Sequence, residues 1–230
     1  MTLQEAIKQR HSVRRYVHKP LSAEIVETLR KKIEECNAEG GLHIQLVTNE
    51  TRAFTGLFSY GKFSGVENYI VMVGKKADDL DERVGYYGEQ LVLLAQTLGL
   101  NTCWAGLSYR RVDEAYSVGD DEKLTCMIAL GYGATQGHKR KSKTAEQVSN
   151  ISSDSPEWFR NGVEAALLAP TAINQQKFSF TLLPNEQDTE DKPKVLAKRG
   201  FSMVGYTKMD IGIARLHFEI GAGTENFDWA

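Results

Sequence analysis

The sequence predicts a mixed α+β fold, and three observations lead to this prediction. Stretches with apolar residues at helical spacing alternate along the chain with short apolar or alternating stretches that are typical of strands. The chain has 230 residues, enough for one large domain or two small ones with a buried core. Hydrophobic residues make up 41% and charged residues 25%, as in ordinary globular proteins.

Composition and charge exclude several classes of protein. The net charge of −2 gives no indication of nucleic acid or a membrane surface as a partner. No stretch approaches the roughly 18 apolar residues of a membrane span, and residues 1–15 lack the apolar core of a signal peptide. The cysteines are widely spaced without a CxxC pair, which disfavours disulfides or a zinc site and favours a reducing cytoplasm. They are Cys36, Cys103 and Cys126.

Capping residues predict the first two helices. Thr2 and Glu5 form a capping-box pattern at the start of a short helix over 2–9. A basic stretch without helical or strand periodicity follows. Ser22 is then expected to cap a second helix over 23–36, whose apolar residues keep helical spacing.

The central part of the chain predicts strands around one apolar helix. Residues 42–48 alternate like a strand, and 67–74 read as a more buried strand. Residues 86–100 are apolar almost all round after the first turn, which favours a buried central helix. Residues 124–133 predict another strand that runs into a glycine turn.

The last third of the chain begins with a long polar and basic connection over 134–156. A helix over 157–168, a strand over 177–183, a charged loop over 185–194 and an apolar helix over 208–220 are predicted after it. This order repeats the order of elements in the first half. The repeat indicates either a weak internal duplication or an order that any α+β chain can show.

The first candidate site segment is the basic stretch Arg10-His11-Ser12-Val13-Arg14. If this stretch is extended, Arg10, Ser12 and Arg14 point the same way. Two guanidinium groups that flank a hydroxyl suit a phosphate dianion, because their planar forks bind its oxygens at fixed geometry. A solvated basic arm explains the same residues from composition alone.

A second basic cluster follows the glycine turn and contains Lys139, Arg140, Lys141 and Lys143. Such a run is usually a solvated face or a nucleic-acid patch, but this one lacks the interleaved aromatic residues that stack on bases. One small phosphorylated ligand, shared with the first basic segment, would explain both clusters.

Two further segments present groups that suit a flat heterocycle. Residues 169–178 form a proline-containing turn between a helix and a strand, and its amides offer donors and acceptors together. After the apolar helix, small residues follow Trp104 and would let a backbone N–H approach a flat ligand. An ordinary helix–strand turn and a core tryptophan are the alternatives.

Four sequence matches resemble the nitroreductase family of FMN flavoproteins. RHSVRRY is similar to that family's opening phosphate-binding motif, and APTAINQQKF resembles its A-P-S-x-x-N-x-Q-P-W turn. GYYGEQLVLLAQTLGLNTCW is similar to the family's central helix and the turn after it. ALGYG with the following KRKSK resembles the closing strand and the basic residues of the phosphate site.

The order of these motifs departs from the usual family pattern. The A-P-S-x-x-N-x-Q turn normally follows the first long helix, whereas here it follows residue 168. This order resembles the TM1586-like subset of the family. The resemblance implies a central, mostly antiparallel sheet flanked by helices. Residues 1–150 would hold the FMN phosphate and residues 151–230 would be a second half-repeat that completes the flavin site, as in an internal pseudo-dimer.

The resemblance also implies roles for individual residues towards FMN. A cation at Arg14, near the flavin pyrimidine edge, would stabilise the negative charge of the reduced ring. A backbone N–H near Ala105 or Gly106 would donate to flavin N5. The residues implied for the phosphate are Arg10, Ser12, Lys141 and Lys143. The other implied contacts are with His11, Trp104, Pro170, Thr171, Asn174 and Gln176.

The activity implied by the resemblance is an FMN-dependent oxidoreductase. It would use NAD(P)H to reduce nitroaromatic, quinone or similar small acceptors by ping-pong hydride transfer, with the flavin rather than a side chain as the reacting group. The alternative is an FMN-binding carrier or sensor without turnover. We expect a cytoplasmic protein without a metal, nucleic-acid or membrane partner, either a monomeric pseudo-dimer or a homodimer.

Overall fold

The structure is a computed structural model, which describes residues 1–56, 62–184 and 192–230. Most of the predicted charged loop over 185–194 therefore lies outside the described residues. The chain divides into two compact units, each described here by itself. The first unit comprises Met1, Gln9–Leu80 and Tyr87–Lys139. The second unit comprises Thr2–Lys8, Asp81–Tyr86 and Arg140–Ala230. The predicted division into 1–150 and 151–230 stays a prediction.

An antiparallel sheet forms the centre of the first unit. Its strands are β1 (Gln45–Val47), β2 (Asn68–Lys75), β3 (Asn101–Ala105) and β4 (Glu122–Gly131). Among the described residues they pair in the order β1-β2-β4-β3. β2 is buried along almost its whole length because both of its faces are covered, which explains its continuous apolar sequence.

β3 corrects a prediction from the sequence. We expected a turn after the apolar helix, but Asn101–Ala105 pairs with β4 along its whole length. Its burial is nearly continuous, so the period-two alternation that reveals a half-buried strand is missing. This strand therefore cannot be recognised from alternation.

The helix caps of α1 (Leu3–Gln9) and α2 (Ala23–Gly40) confirm the predictions from capping residues. The Thr2 amide donates to the Glu5 carboxylate at 2.8 Å, and the Glu5 amide donates to the Thr2 hydroxyl at 3.2 Å. Ser22 accepts from an amide in the first turn of α2 at 3.3 Å. These bonds satisfy N–H groups that a helix start leaves without an intrahelical acceptor.

The apolar helix begins earlier than the sequence indicates. α3 spans Leu80–Thr97, six residues before the predicted start at 86 and three before the predicted end. Its first turns are charged and include Gly85, so the apolar pattern hides them. In the second unit, Gly85 and Gly212 lie at a close approach to neighbouring backbone: a Cβ at 85 would collide with the Met209 carbonyl, and one at 212 with the Glu82 carbonyl.

The second unit contains a helix pair and a small sheet. Its elements are α4 (Glu157–Leu167), β5 (Phe178–Leu182), β6 (Lys194–Arg199), α5 (Thr207–Ala222) and β7 (Asp228–Trp229). β5 pairs with β6 in antiparallel register, and β6 pairs with β7 in parallel. Aromatic rings fill the space between sheet and helices; Phe180 and Phe218 stack with centroids 4.7 Å apart. The predicted mixed α+β class with mostly antiparallel pairing is confirmed.

Three features bear on the function classes considered above. Within the described residues, the helices are all too short or too polar to cross a membrane. The same residues contain no cluster of His, Cys, Asp and Glu side chains that could hold a metal ion. All three cysteines are buried thiols without a disulfide.

Candidate functional site

In the first unit, the segment that contains the first basic cluster lies along the edge strand β3. Ser12 forms a parallel bridge with Thr102, and the Val13 amide donates to the Thr102 carbonyl at 3.0 Å. Tyr16 is 6% exposed, and its hydroxyl donates to the Val13 carbonyl at 2.6 Å. The segment is thus fixed to the sheet by backbone pairing and by a buried tyrosine.

Burial along this segment does not follow the expected alternation. Arg10 is buried, Ser12 is intermediate and Arg14 is exposed, so the three side chains do not share one environment. The Arg14 guanidinium forms no hydrogen bond or ion pair with any described residue. His11 is half-buried, and its Nδ1 lies 2.9 Å from the Gln9 carbonyl. Of the first cluster, Arg14 is therefore the cation most available to a ligand.

Arg10 and Trp104 share one buried carboxylate, Glu89 of α3. The Arg10 Nε lies 3.7 Å from Glu89 Oε1, and the two side chains are 5% and 0% exposed. The Trp104 indole N–H donates to Glu89 Oε2 at 2.9 Å. A buried carboxylate requires such compensation, because removal of a charge from water is costly. Glu89 thus connects two residues to which the family resemblance gives a role in FMN binding.

Trp104 lies against α3 because that helix has a glycine beneath the ring. A Cβ at Gly88 would lie 2.5 Å from Trp104 Cη2. The following residues continue from the end of β3, where Ala105 is 3% exposed and Gly106 is half-buried. The amide that the resemblance assigns to flavin N5 therefore lies at the end of β3, next to the Trp104 ring, which is held by its hydrogen bond to Glu89.

In the second unit, the predicted turn over 169–176 has an unusual backbone. Ile173, Asn174 and Gln176 have positive φ angles of 46°, 59° and 44°. Asn tolerates this left-handed region, but a β-branched residue is an outlier there. Such residues cost on the order of 1–3 kcal/mol each and persist only where their surroundings enforce them. The turn therefore requires strong local bonds.

One source of these bonds is Asp210, in the first turn of α5. Its carboxylate accepts from the Ala172 amide at 2.9 Å and from the Gln175 side-chain amide at 2.7 Å. Asp210 is 3% exposed. Burial raises the pKa of Asp210 from 3.8 to about 6, and the hydrogen bonds from Ala172 and Gln175 act in the opposite direction.

Gln176 supplies the second source of bonds. Its side chain is 2% exposed, accepts from the Lys143 amide at 2.9 Å, and donates to Ser142 and to the Leu167 carbonyl at 2.9 Å each. Its own amide donates to the Thr171 hydroxyl at 3.1 Å. Every polar atom of the Gln176 side chain thus has a partner within the unit.

The second basic cluster also binds the turn. The Lys143 ammonium donates to the Gln176 carbonyl, and burial together with nearby Lys177 lowers the pKa of Lys143. Arg140 donates to the carbonyls of Leu167 and Ala169, at the end of α4. These two cations therefore hold backbone carbonyls at the end of α4 and in the turn.

Two amide oxygens of the turn lack partners. Asn174 donates through Nδ2 to the Lys141 carbonyl at 2.7 Å, but its Oδ1 is buried without a hydrogen bond to any described residue. The Gln175 Oε1 is likewise buried and unpartnered within the described part of the chain. Unsatisfied buried acceptors are rare in native proteins, and a bound donor group is one explanation for them. The turn is thus a candidate ligand-binding edge that offers acceptors.

The predicted site residues fall into two groups. The first unit contains Arg10, His11, Ser12, Arg14, Trp104, Ala105 and Gly106, and the second contains Lys141, Lys143, Pro170, Thr171, Asn174 and Gln176. Sequence reasoning missed Glu89, Asp210 and Gln175. Each of the two carboxylates lies next to an apolar run of its helix, and that placement is the sequence signal that could have identified them.

Solved structures similar to the chain have the nitroreductase fold. A protein of Thermotoga maritima described as a "putative nitroreductase" is 23% identical, with a TM-score of 0.62 over 96% of this chain and 83% of that one. Nitroreductase A of Vibrio parahaemolyticus is 16% identical, with a TM-score of 0.54 over 68% and 79%. A protein of Desulfovibrio desulfuricans described as a "putative nitroreductase", solved in complex with FMN, is 16% identical, with a TM-score of 0.52 over 68% and 99%.

The sequence itself also matches a family. The profile of the family described as "Putative TM nitroreductase" matches residues 2–222. The chain therefore belongs to this nitroreductase family, as the motif resemblance indicated. A comparison with curated protein sequences gives no match.

Proposed function

We propose that this protein binds FMN and is an FMN-dependent oxidoreductase that uses NAD(P)H to reduce nitroaromatic, quinone or similar acceptors by a ping-pong reaction. The observation that carries the proposal is the buried, unpartnered Oδ1 of Asn174. It lies in the turn that the family resemblance assigns to the flavin. FMN offers ring N–H and ribityl hydroxyl donors, so its chemistry fits an acceptor at this position.

The described residues support specific roles in FMN binding. In the second unit, Asn174 and Gln175 would accept hydrogen bonds from FMN. The rigid network around Gln176 and Lys143 would keep these acceptors in place, which limits the entropy lost on binding. We therefore assign Gln176 and Lys143 to the support of the turn, in addition to the contacts expected from sequence.

In the first unit, Arg14 and the end of β3 would act on the flavin ring. The chemistry that FMN would supply when bound is hydride transfer between NAD(P)H and the acceptor. Arg14, exposed and free of an ion pair with the described residues, would supply positive charge near the ring. Trp104, held by Glu89, would define where the Ala105–Gly106 backbone N–H groups point.

The proposal is tested by the flavin spectrum of the purified protein. We expect the apoprotein to take up FMN, and anaerobic addition of NADH or NADPH to bleach the flavin absorbance. Addition of a quinone or nitroaromatic compound should then restore it. A protein that does not bind FMN contradicts the proposal, whereas FMN that neither nucleotide reduces would favour the carrier or sensor.

Variants locate the binding residues. Asn174→Ala should weaken FMN binding by about 1–2 kcal/mol, the range for a neutral hydrogen bond with a buried partner. Asn161→Ala is the control, because it removes the same side chain from a different place in the second unit. Equal FMN affinity in wild type and Asn174→Ala would remove Asn174 from the site.

A further inference from the structure

The anchoring of the 171–176 turn depends on a residue outside the family motif. Asp210 belongs to α5, yet its carboxylate accepts two hydrogen bonds from the turn. An acidic residue in the first turn of a helix ordinarily stabilises the N–H groups of that helix. Here the carboxylate instead joins two points of the turn, the Ala172 amide and the Gln175 side chain.

The cost of this arrangement indicates a role beyond stability. Asp210 is 3% exposed, and no described residue forms an ion pair with it. A buried carboxylate without a cation is disfavoured, and an apolar or neutral residue of similar size would be tolerated at least as well. The position of Asp210 is also well defined, because Gly212 lets α5 approach the Glu82 backbone closely. A rigid helix is a suitable base from which to fix a strained loop.

The two bonds lie on either side of two of the three turn residues with positive φ angles. Ala172 precedes Ile173 and Asn174, which have positive φ angles, and Gln175 follows them. The Gln175 side-chain amide also donates to the Gly205 carbonyl at 3.0 Å, so its Oε1 is directed away from both acceptors. The carboxylate therefore fixes both ends of the segment that contains Asn174, whose Oδ1 has no partner among the described residues. It also fixes the orientation of the Gln175 side chain, whose Oε1 likewise has no partner among them.

We infer that Asp210 is a positioning residue, which holds the 171–176 turn in the conformation in which Asn174 and Gln175 accept hydrogen bonds from FMN. This inference rests on the proposed function. Asp210 acts through the turn and does not itself contact the cofactor.

A graded series of variants tests the inference. Asp210→Ala removes both acceptors, whereas Asp210→Asn retains one acceptor and places a donor opposite the Gln175 amide. Fluorescence titration with FMN should give a dissociation constant roughly tenfold higher for Asp210→Asn, the order expected for one charge-assisted hydrogen bond, and a larger increase for Asp210→Ala. Asp228→Asn is the matched control, because it removes the same charge at an exposed position of the second unit; its dissociation constant should equal that of wild type.

A second pair of measurements separates positioning from simple loss of stability. Combining Asp210→Asn with Gln175→Glu reverses the hydrogen bond: the side-chain amide at 210 donates and the carboxylate at 175, on the turn, accepts. This double variant should recover part of the FMN affinity and of the bound-flavin absorption spectrum. Hydrogen exchange of the Ala172 amide in the apoprotein should be slow in wild type and fast in Asp210→Ala, at a temperature where both are folded.

The outcomes distinguish this inference from the proposed function. Wild type that does not bind FMN overturns the proposed function, and with it the inference. Wild type that binds FMN, with equal affinity and spectrum in Asp210→Ala, overturns the inference alone. If Asp210→Ala does not fold, the wild-type apoprotein decides: an Ala172 amide that exchanges as fast as in an unstructured peptide overturns the role of Asp210.

Discussion

Each of the two units places one buried carboxylate next to a segment that the family resemblance assigns to the flavin. In the first, Glu89 of α3 binds the Arg10 guanidinium and the Trp104 indole. In the second, Asp210 of α5 binds the Ala172 amide and the Gln175 side chain. Glu89 lies in the middle of α3 and Asp210 in the first turn of α5, and these are the helices that correspond in the repeated element order of the sequence.

The difference between the two acids lies in their partners. Glu89 has a cation beside it, so the charge of the carboxylate is compensated within the unit. Asp210 has neutral donors, and burial raises its pKa to about 6. A buried acid on an apolar helix thus forms an ion pair in the first unit, whereas in the second unit it accepts only from neutral donors and burial raises its pKa.

Glu89→Gln tests the first half of the comparison and should have the largest effect. The variant leaves the buried Arg10 cation without its counter-charge, which typically costs about 3–5 kcal/mol. Urea unfolding at pH 7 measures the loss. Glu82→Gln is the matched control, because Glu82 lies on the same helix and pairs with Arg215 at the surface, 35% exposed; it should lose about 0–1 kcal/mol. Equal losses in the two variants would show that Arg10 does not depend on Glu89.

Asp210→Asn tests the second half through the pH dependence of stability. The folded-state pKa of about 6 exceeds the ordinary value of 3.8, so between these pH values the folded state binds more protons than the unfolded state. The contribution of Asp210 to stability is therefore fully present below about pH 3.8 and is lost as the pH rises through about 6. The pKa difference corresponds to about 3 kcal/mol.

The measurement is the difference between the unfolding free energies of wild type and Asp210→Asn from pH 4 to pH 8. That difference should change in favour of wild type as the pH falls, and other titrating groups cancel between the two proteins. A difference independent of pH would mean that burial does not raise the pKa of Asp210.

Gly88→Ala tests how closely the Trp104 ring packs against α3 in the first unit. Alanine is the better helix former by about 1 kcal/mol, but its Cβ would lie 2.5 Å from Trp104, and such overpacking costs about 1–3 kcal/mol. We expect a net loss of about 1 kcal/mol in urea unfolding. Gly200→Ala is the control, because its nearest neighbour is 3.5 Å away. A more stable Gly88→Ala protein would show that the Trp104 ring adjusts without cost.

Residue patterns predicted those parts of the fold whose causes are local. The Thr2–Glu5 and Ser22 caps were predicted correctly because a cap needs only a few neighbouring residues. β3 was missed because a strand buried on both faces has no alternation. β6 and β7 were missed because a short exposed strand and a two-residue strand carry too little pattern, and their pairing depends on partners distant in sequence.

The site was predictable where a motif could be recognised and not where partners are non-local. The segment over 10–14 and the turn over 169–176 were found from their residue types. That Lys143 donates to the Gln176 carbonyl, 33 residues further along the chain, follows from the folded path alone. Asp210 is 38 residues from Ala172, and no short-range pattern reports such a bond.

Arg14→Ala has the smallest expected effect. It tests an exposed cation of the first unit that forms no ion pair with a described residue. If Arg14 lies near the FMN ring as proposed, its charge stabilises the reduced, more negative flavin, so its removal should lower the reduction potential of bound FMN. For a solvent-exposed charge we expect roughly 10–20 mV. Arg15→Ala is the matched control, because the adjacent residue is also exposed and loses the same charge. Redox titration of both variants and wild type, at saturating FMN, separates a local effect of the charge from a long-range one. The proposal requires a lower potential in Arg14→Ala than in wild type. The potential of Arg15→Ala should stay within a few millivolts of wild type. Equal shifts in the two variants, or a higher potential in Arg14→Ala, would mean that Arg14 is a solvated arm residue without a role at the ring.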